Sequence, residues 1–90
     1  MDFAVEKIDL TTVHFTPRLL SQVPADTARR FRVLPVSETS GTLCLALTDP
    51  QDLRLLDELH RTLQRELDVC QADQHQIDTF LRRLYGDHVG

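Results

Sequence analysis

The chain has 90 residues, which is enough for one small domain and too few for two hydrophobic cores. Hydrophobic residues make up 41% and charged residues 27%, which is ordinary globular usage and argues against a wholly disordered chain. The net charge is -4, whereas general nucleic-acid binders carry an excess of basic residues. No apolar run approaches the roughly 20 residues that are needed to span a bilayer. Acidic residues near the start are unlike a secretory signal peptide, so we expect a cytoplasmic domain with no nucleic-acid partner and no direct membrane insertion.

The amino-terminal third predicts an arm and two short helices. Residues 1–15 alternate loosely between apolar and polar side chains, which indicates an extended arm or a short edge strand laid over the core. Thr16 followed by Pro17 has the chemistry of an N-cap with proline at the first helical position, which predicts a short helix through Leu20. Residues 24–31 predict a second helix, with an acid near its start and arginines near its end.

The middle of the chain predicts a β-hairpin. Residues 32–36 are a short β-branched run that Pro35 interrupts, and a proline without an N–H is tolerated at the edge of a sheet. Residues 38–41 are typical of a turn, with Gly41 near its end. Residues 42–48 place leucines on one face and small residues on the other, so we expect a second strand that is partly covered on both faces.

Asp49 and Pro50 predict the start of a longer helix. We expect Asp49 to cap the helix and Pro50 to occupy its first position. Basic residues in the second half of this helix suit the helix dipole. The predicted buried stripe consists of five leucines, namely Leu53, Leu55, Leu56, Leu59 and Leu63.

The carboxyl-terminal part predicts one more strand and one more helix, in residues 66–71 and after Asp73. Asp73 can cap the last helix and Gly86 ends it. The element order is therefore ααββαβα, which predicts an α/β (α+β) sandwich of a three-stranded sheet with helices packed on it. We expect an arm over 1–15, one domain over 16–86 and a tail over 87–90.

The sequence lacks the motifs of an enzyme. Its three glycines are Gly41, Gly86 and Gly90, so the sequence contains neither a GxGxxG nor a GxxxxGK phosphate-binding loop. The four histidines are scattered, and the two cysteines show no CxxC spacing. We expect Cys44 and Cys70 to be reduced and buried, with a disulfide between neighbouring strands as the alternative. The chain is thus predicted to have no catalytic residues, no cofactor and no metal.

Three arginines lie at the junction between the second predicted helix and the first strand: Arg29, Arg30 and Arg32. One interpretation is that they complement the helix dipole and form surface ion pairs with Asp26, Glu38 or Asp78. The other interpretation is a partner-facing patch, because guanidinium groups bind carboxylates bidentately. At this net charge an acidic protein surface is a better partner for the patch than nucleic acid. Arg82 and Arg83 end the last helix.

The first strand is a second candidate surface for a protein partner. If Pro35 marks a sheet edge, part of the strand between Val33 and Val36 is exposed there. We therefore predict partner contacts from Val33 and Val36 as well as from the arginines.

Four blocks of the sequence resemble one known family. Residues 23–36, VPADTARRFRVLPV, are similar to the IPxxxARRYRVLPL segment in the amino-terminal domain of type II secretion and type IV pilus assembly ATPases. Residues 41–50 resemble that family's GxxLxVAMADP, residues 52–59 its DLxALDEL, and residues 77–86 its closing IxxALxRxYG. The blocks occur in the family's order and cover roughly residues 8–86.

The resemblance implies a docking and regulatory role. In this family the domain is cytoplasmic and couples the motor to a protein, typically the cytoplasmic part of an inner-membrane platform protein; the motor ATPase itself is another candidate partner. The family's Walker motifs are absent from this chain, so we expect no ATP hydrolysis. Arg18-Leu19-Leu20 lacks the glycine of the RLGxxL motif with which some relatives bind cyclic di-GMP. A cyclic di-GMP sensor is therefore the alternative rather than the first hypothesis.

Overall fold

The structure is a computed structural model that describes residues 7–86. A 3-10 turn at Leu10–Thr12 precedes seven regular elements. They are, in chain order, α1 Pro17–Leu20, α2 Ala25–Phe31, β1 Leu34–Thr39, β2 Thr42–Leu47, α3 Leu53–Leu63, β3 Leu67–Gln71 and α4 Gln74–Tyr85. This order confirms the predicted ααββαβα arrangement and the α+β class. No helix in residues 7–86 is both long and apolar enough to cross a membrane.

The three strands form one mixed sheet in the order β1-β2-β3. β1 and β2 are antiparallel, whereas β2 and β3 are parallel and are joined through α3. Pro35 lies in β1, next to a bulge between Pro35 and Ser37. Since β1 is an edge strand, the missing N–H of Pro35 leaves no gap in a central strand, which confirms the predicted edge position.

The hairpin turn is tighter than predicted. β1 continues to Thr39, so residues 38 and 39 belong to the strand rather than to the turn. Ser40 and Gly41 form the turn with φ angles of +52° and +83°. Positive φ at both central positions is what a type I′ hairpin turn requires, and its twist matches that of the flanking strands.

Arg32 lies at the end of α2 and not in the first strand, contrary to the prediction. It adopts the left-handed conformation with φ of +55°, and the amide of Val33 donates to the carbonyl oxygen of Ala28 at 3.1 Å. A left-handed residue with this hydrogen bond is a standard way to end a helix. The chain therefore turns at Arg32 before β1 begins at Leu34.

The start of α3 also differs from the prediction. Asp52 is the N-cap, and its carboxylate accepts from the amide of Leu55 at 3.2 Å. Asp49 instead closes the preceding turn by accepting from the amide of Gln51 at 3.1 Å. α3 therefore starts three residues later than expected. Leu53, its first residue, is 76% exposed, so the prediction that it belongs to the buried stripe is wrong.

The other two predicted caps are confirmed. The Thr16 hydroxyl oxygen accepts from the amide of Leu19 at 3.1 Å at the start of α1. The Asp73 carboxylate accepts from the amides of His75 and Gln76 at 3.0 and 3.2 Å at the start of α4.

The core lies between the sheet and the helices. β2 is covered on both faces, as predicted, because its leucines and Ala46 are buried on opposite sides. Leu59 of α3 and Ile77 of α4 belong to the same buried cluster. Leu10 is fully buried there too, and the amide of Ile8 donates to the carbonyl oxygen of Gln71 at 2.7 Å. The described part of the predicted arm, residues 7–15, thus packs on the core; residues 1–6 lie outside the described part of the chain.

The two cysteines lie on neighbouring parallel strands. Cys44 is in β2 and Cys70 in β3, and their sulfur atoms are 3.9 Å apart. This distance is well beyond the roughly 2.05 Å of a disulfide bond.

Candidate functional site

The structure separates the two predicted contact surfaces. Arg29 and Arg30 lie in the last turn of α2, and Arg32 follows them. Val33 is 0% and Val36 9% exposed, because both side chains pack in the core where the chain enters β1. The prediction that Val33 and Val36 present an exposed side-chain surface is therefore wrong, and the arginines are the accessible part of this region.

Arg29 joins α2 to the end of α4. One of its terminal nitrogens donates to Asp26 Oδ1 at 3.2 Å, within α2. The other donates to the carbonyl oxygens of Tyr85 and Gly86 at 3.4 and 3.5 Å. These carbonyls have no partner within the helix, so Arg29 complements the negative end of the α4 dipole.

Arg32 also contacts α4, through an ion pair with Asp78. The ion-pair interpretation is thus confirmed for Arg29 with Asp26 and for Arg32 with Asp78. Glu38 does not join them.

Glu38 pairs instead with Arg65, a partner that was not predicted. Arg65 donates to Glu38 Oε2 at 2.6 Å, to Gln22 Oε1 at 2.7 Å and to the carbonyl oxygen of Gly41 at 3.0 Å. It therefore ties the end of α3 to the hairpin and to the loop after α1, which is a structural role.

Arg30 is held differently from its neighbours. It is exposed, and its guanidinium carbon lies 5.2 Å from the ring centroid of Phe31, a cation–π distance. Among residues 7–86, no carboxylate pairs with Arg30. Its N–H groups are therefore available to a ligand or a partner.

A shallow cleft lies between α2 and α4. Its volume is about 290 Å³, and three arginines lie along it together with one carboxylate and the side chain of Leu81. The lining residues are Arg29, Arg32, Asp78, Leu81, Arg82 and Gly86. Arg82 lies at the end of the last helix, as predicted. Its position opposite the arginines of α2 was not predicted, because only the packing of α2 on α4 brings them together.

A second cleft, of about 350 Å³, lies on the other side of Arg32. It contains Arg30 and the ring of Phe31 beside the last residue of β2, Leu47, and the first turn of α3. The two clefts share Arg32, so the arginines form one continuous surface around the end of α2.

This surface suits the binding of anionic groups. Guanidinium groups bind carboxylates and phosphates through pairs of parallel N–H bonds. In residues 7–86, no cluster of His, Cys, Asp and Glu has the arrangement of a metal site. The pKa of Tyr85 is raised to about 12 by burial, and hydrogen bonds from Gln76 and Thr11 lower the pKa of Asp9. Neither of these side chains lines the arginine clefts.

Comparison with known proteins gives a family match over nearly the whole chain. The family model of the MshEN domain matches residues 3–90. The type IV pilus assembly ATPase PilB of Myxococcus xanthus (strain DK1622) is 24% identical over 85 residues. That similarity covers 94% of this chain and 15% of PilB.

Solved structures agree with this match. A structure of MshE with cdg is similar with a TM-score of 0.82 and 28% identity, over 91% of this chain and 60% of the MshE chain. The N-terminal domain of XpsE has the same fold, with a TM-score of 0.70 at 20% identity, over 88% of this chain and 56% of that chain. The chain thus spans only part of the proteins it matches. It belongs to the MshEN domain family, the N-terminal domain of type II secretion and type IV pilus ATPases.

Proposed function

We propose that this domain is a non-catalytic regulatory module that docks to a protein of a secretion or pilus machine in the cytoplasm. The partner is the cytoplasmic part of an inner-membrane platform protein or the motor ATPase itself. The observation that carries this proposal is the exposed arginine surface around the end of α2. It offers anion-binding groups on a rigid scaffold without a catalytic arrangement beside them.

The glycines support a role without phosphate chemistry. Gly41 lies in the hairpin turn and Gly86 at the end of α4, each with a positive φ. Each therefore serves the backbone geometry of a turn or a helix end. A Walker-type loop needs several glycines whose amides surround a phosphate, and the sequence has only three glycines in all.

The three arginines of α2 contribute unequally to the proposed contact. Arg29 holds the end of α4 and Arg32 pairs with Asp78, so part of their hydrogen-bonding capacity is already used. Arg30 is exposed and is the best placed of the three to reach a partner. Val33 and Val36 take no part through their side chains, since both are buried.

A calorimetric titration of the domain with the cytoplasmic part of the platform protein tests this proposal. We expect saturable binding that Arg30→Glu weakens by about tenfold, because reversal of an interface charge opposes complementary charges. Arg54→Glu is the matched control, since Arg54 is exposed on α3 and the substitution changes the net charge equally. If no platform protein and no motor ATPase of such a machine binds the wild-type domain, the proposal is wrong.

A second function is favoured by one specific comparison. The structure of MshE with cdg, which abbreviates cyclic di-GMP, is similar to this domain over 91% of its length. Arginines that bind carboxylates also bind phosphodiesters, so the surface around α2 suits this ligand as well. Against it stands Arg18-Leu19-Leu20, where the glycine of the RLGxxL motif is missing.

Calorimetry with cyclic di-GMP at high protein concentration separates the two functions. A sensor domain releases or absorbs heat with a defined stoichiometry, and Arg18→Glu abolishes that heat if the remnant motif takes part. A flat trace with the wild-type domain removes the sensor function and leaves the docking function unaffected.

A further inference from the structure

The arginines of α2 and α4 form one belt on the surface. We define the arginine belt as Arg29, Arg30, Arg32, Arg82 and Arg83. Arg32 lines both clefts described above, and Arg82 lines the first of them. Arg82 also lines a third depression together with Arg83 and His75. The shared lining residues connect the belt from the end of α2 along the exposed side of α4.

In the described part of the chain, two arginines of the belt form ion pairs and three do not; we call these three the open arginines. Asp26 pairs with Arg29, and Asp78 pairs with Arg32. In the described residues 7–86, no carboxylate lies within ion-pair distance of Arg30, Arg82 or Arg83. Three arginines of the belt are therefore exposed and form no ion pair in this part of the chain, although Asp49 lines the cleft of Arg30 and Asp78 that of Arg82.

Two of the open arginines are held against aromatic rings. The guanidinium carbon of Arg30 lies 5.2 Å from the centroid of Phe31, and that of Arg83 lies 5.7 Å from the centroid of Phe80. Phe80 in turn packs against Phe15, with centroids 5.6 Å apart. Stacking restrains a guanidinium plane and leaves its N–H edges pointing outward, so less entropy is lost when a carboxylate binds.

The charge of the belt contrasts with that of the rest of the chain. Its five arginines and their two paired aspartates carry +3, so the remainder of a chain with net charge -4 carries -7. A long polyanion such as nucleic acid would extend past the belt and meet this negative remainder. A short segment whose acidic residues match the belt would not.

From this arrangement we propose that the arginine belt docks an acidic segment of a partner protein, whose carboxylates pair with Arg30, Arg82 and Arg83. The proposal rests on the docking function above and adds the chemistry of the partner and the contribution of α4.

Fluorescence anisotropy with a labelled acidic peptide tests the belt directly. The probe is a fluorescein-labelled peptide of repeated Glu-Leu-Glu-Glu units, and its control is the same repeat with glutamine in place of glutamate. We expect the acidic peptide to bind the wild-type domain. Added salt should lower its affinity, because salt screens the attraction between exposed charges. The glutamine peptide is expected not to bind.

Charge reversals locate the binding surface. Arg82→Glu with Arg83→Glu is expected to weaken binding of the acidic peptide by at least about tenfold. Arg54→Glu with Arg61→Glu is the matched control, since it changes the net charge equally at exposed sites on α3 outside the belt. In this control the affinity for the peptide is expected to stay within about twofold of the wild-type value. Circular dichroism confirms that each variant is folded, and the milder Arg82→Gln with Arg83→Gln repeats the test without added negative charge.

Three results would overturn the proposal. One is an equal loss in the control variant, which would mean that overall charge and not the belt attracts the peptide. Another is binding of oligothymidylate as tight as that of the peptide and lost in the same variant, which would assign the belt to nucleic acid. The third is wild-type self-association that Arg82→Glu with Arg83→Glu abolishes while the peptide fails to bind, which would make a second copy of this chain the partner.

The same variants distinguish this inference from the docking function on which it rests. If the platform protein or motor ATPase binds the wild-type domain and the Arg82→Glu, Arg83→Glu variant equally, the docking function stands and the proposed role of the arginine belt is wrong. If neither protein binds the wild-type domain while the acidic peptide does, the arginine belt is a site for acidic segments, and the proposed docking to a secretion or pilus machine is wrong.

Discussion

Arg32, the left-handed residue that ends α2, forms an ion pair with Asp78 in α4. The pair connects two residues that are 46 positions apart along the chain. Their side chains are 57% and 31% exposed, so we expect the pair to stabilise the fold by less than about 1 kcal/mol. Its larger consequence is that it removes one positive charge from the middle of the arginine belt.

Asp78→Asn is expected to strengthen binding of the acidic peptide by about two- to fivefold, because it frees Arg32 and raises the positive potential of the belt. Fluorescence anisotropy measures the change. Asp57→Asn, which frees Arg61 on α3, is the matched control and is expected to leave affinity nearly unchanged. Equal strengthening in both variants would contradict a localised site.

Arg65→Ala is expected to destabilise the domain by about 1–3 kcal/mol, because it leaves Glu38 without its partner and removes hydrogen bonds to Gln22 and Gly41. The Arg65 side chain is only 22% exposed, so solvent replaces these bonds incompletely. Arg61→Ala breaks an exposed pair one turn apart on α3 and is expected to cost about 0.3–0.5 kcal/mol. Urea unfolding at neutral pH measures both, and equal costs would show that the Arg65 contacts add nothing.

Two leucines of α3 provide a matched pair in the core. Leu59→Ala is expected to cost about 2–5 kcal/mol, because Leu59 is fully buried and its truncation leaves a cavity. Leu53→Ala is expected to stay within about 0.5 kcal/mol, since that side chain is exposed. Thermal and urea unfolding measure both costs, and reversed costs would contradict the burial of Leu59 and the exposure of Leu53.

The burial of Tyr85 predicts that the domain loses stability in strongly alkaline solution. Burial raises its pKa from 10.0 to about 12, so the folded state keeps the phenol proton at a pH where the unfolded state releases it. Stability is therefore unaffected by this group below about pH 10 and falls as pH rises from there towards 12. Since Tyr85 is the one tyrosine of the sequence, the ultraviolet absorbance of phenolate reports its titration directly.

Tyr85→Phe separates the titration from the hydrogen bond. The Tyr85 hydroxyl donates to the carbonyl oxygen of Leu20 at 3.1 Å, so its removal is expected to cost about 1 kcal/mol near neutral pH. The variant should lack the part of the alkaline decline that Tyr85 causes. An unshifted titration of the wild-type tyrosine, near pH 10, would contradict its burial against α1.

Local signals in the sequence determined the order and type of the elements. Thr16 and Asp73 cap their helices as predicted because an N-cap bonds to amides only two or three residues away. The edge position of Pro35 followed in the same way from the missing N–H of proline. The family blocks are likewise contiguous runs of residues, and the matched family model covers nearly the same span.

Where two local signals compete, packing decides between them. Asp49 and Asp52 have the same capping chemistry, and the chain uses Asp52 for α3 and Asp49 for the turn before it. The β-branched run before Pro35 predicted that Arg32 extends the strand, but Arg32 ends α2 in a left-handed conformation. In each case the residue types alone do not distinguish the two boundaries, whereas the hydrogen bonds of the folded chain do.

The candidate site depends mostly on tertiary structure. The sequence determined that arginines cluster at the end of α2, since they are neighbours in the chain. It could not determine that Arg82 faces them, that Asp78 neutralises Arg32, or that Val33 and Val36 are buried. The first two facts depend on contacts between residues about 50 positions apart, which form when α2 packs on α4. The burial of Val33 and Val36 accompanies the entry of the chain into the sheet at β1. The arginine belt of this small acidic chain therefore forms only when the chain folds.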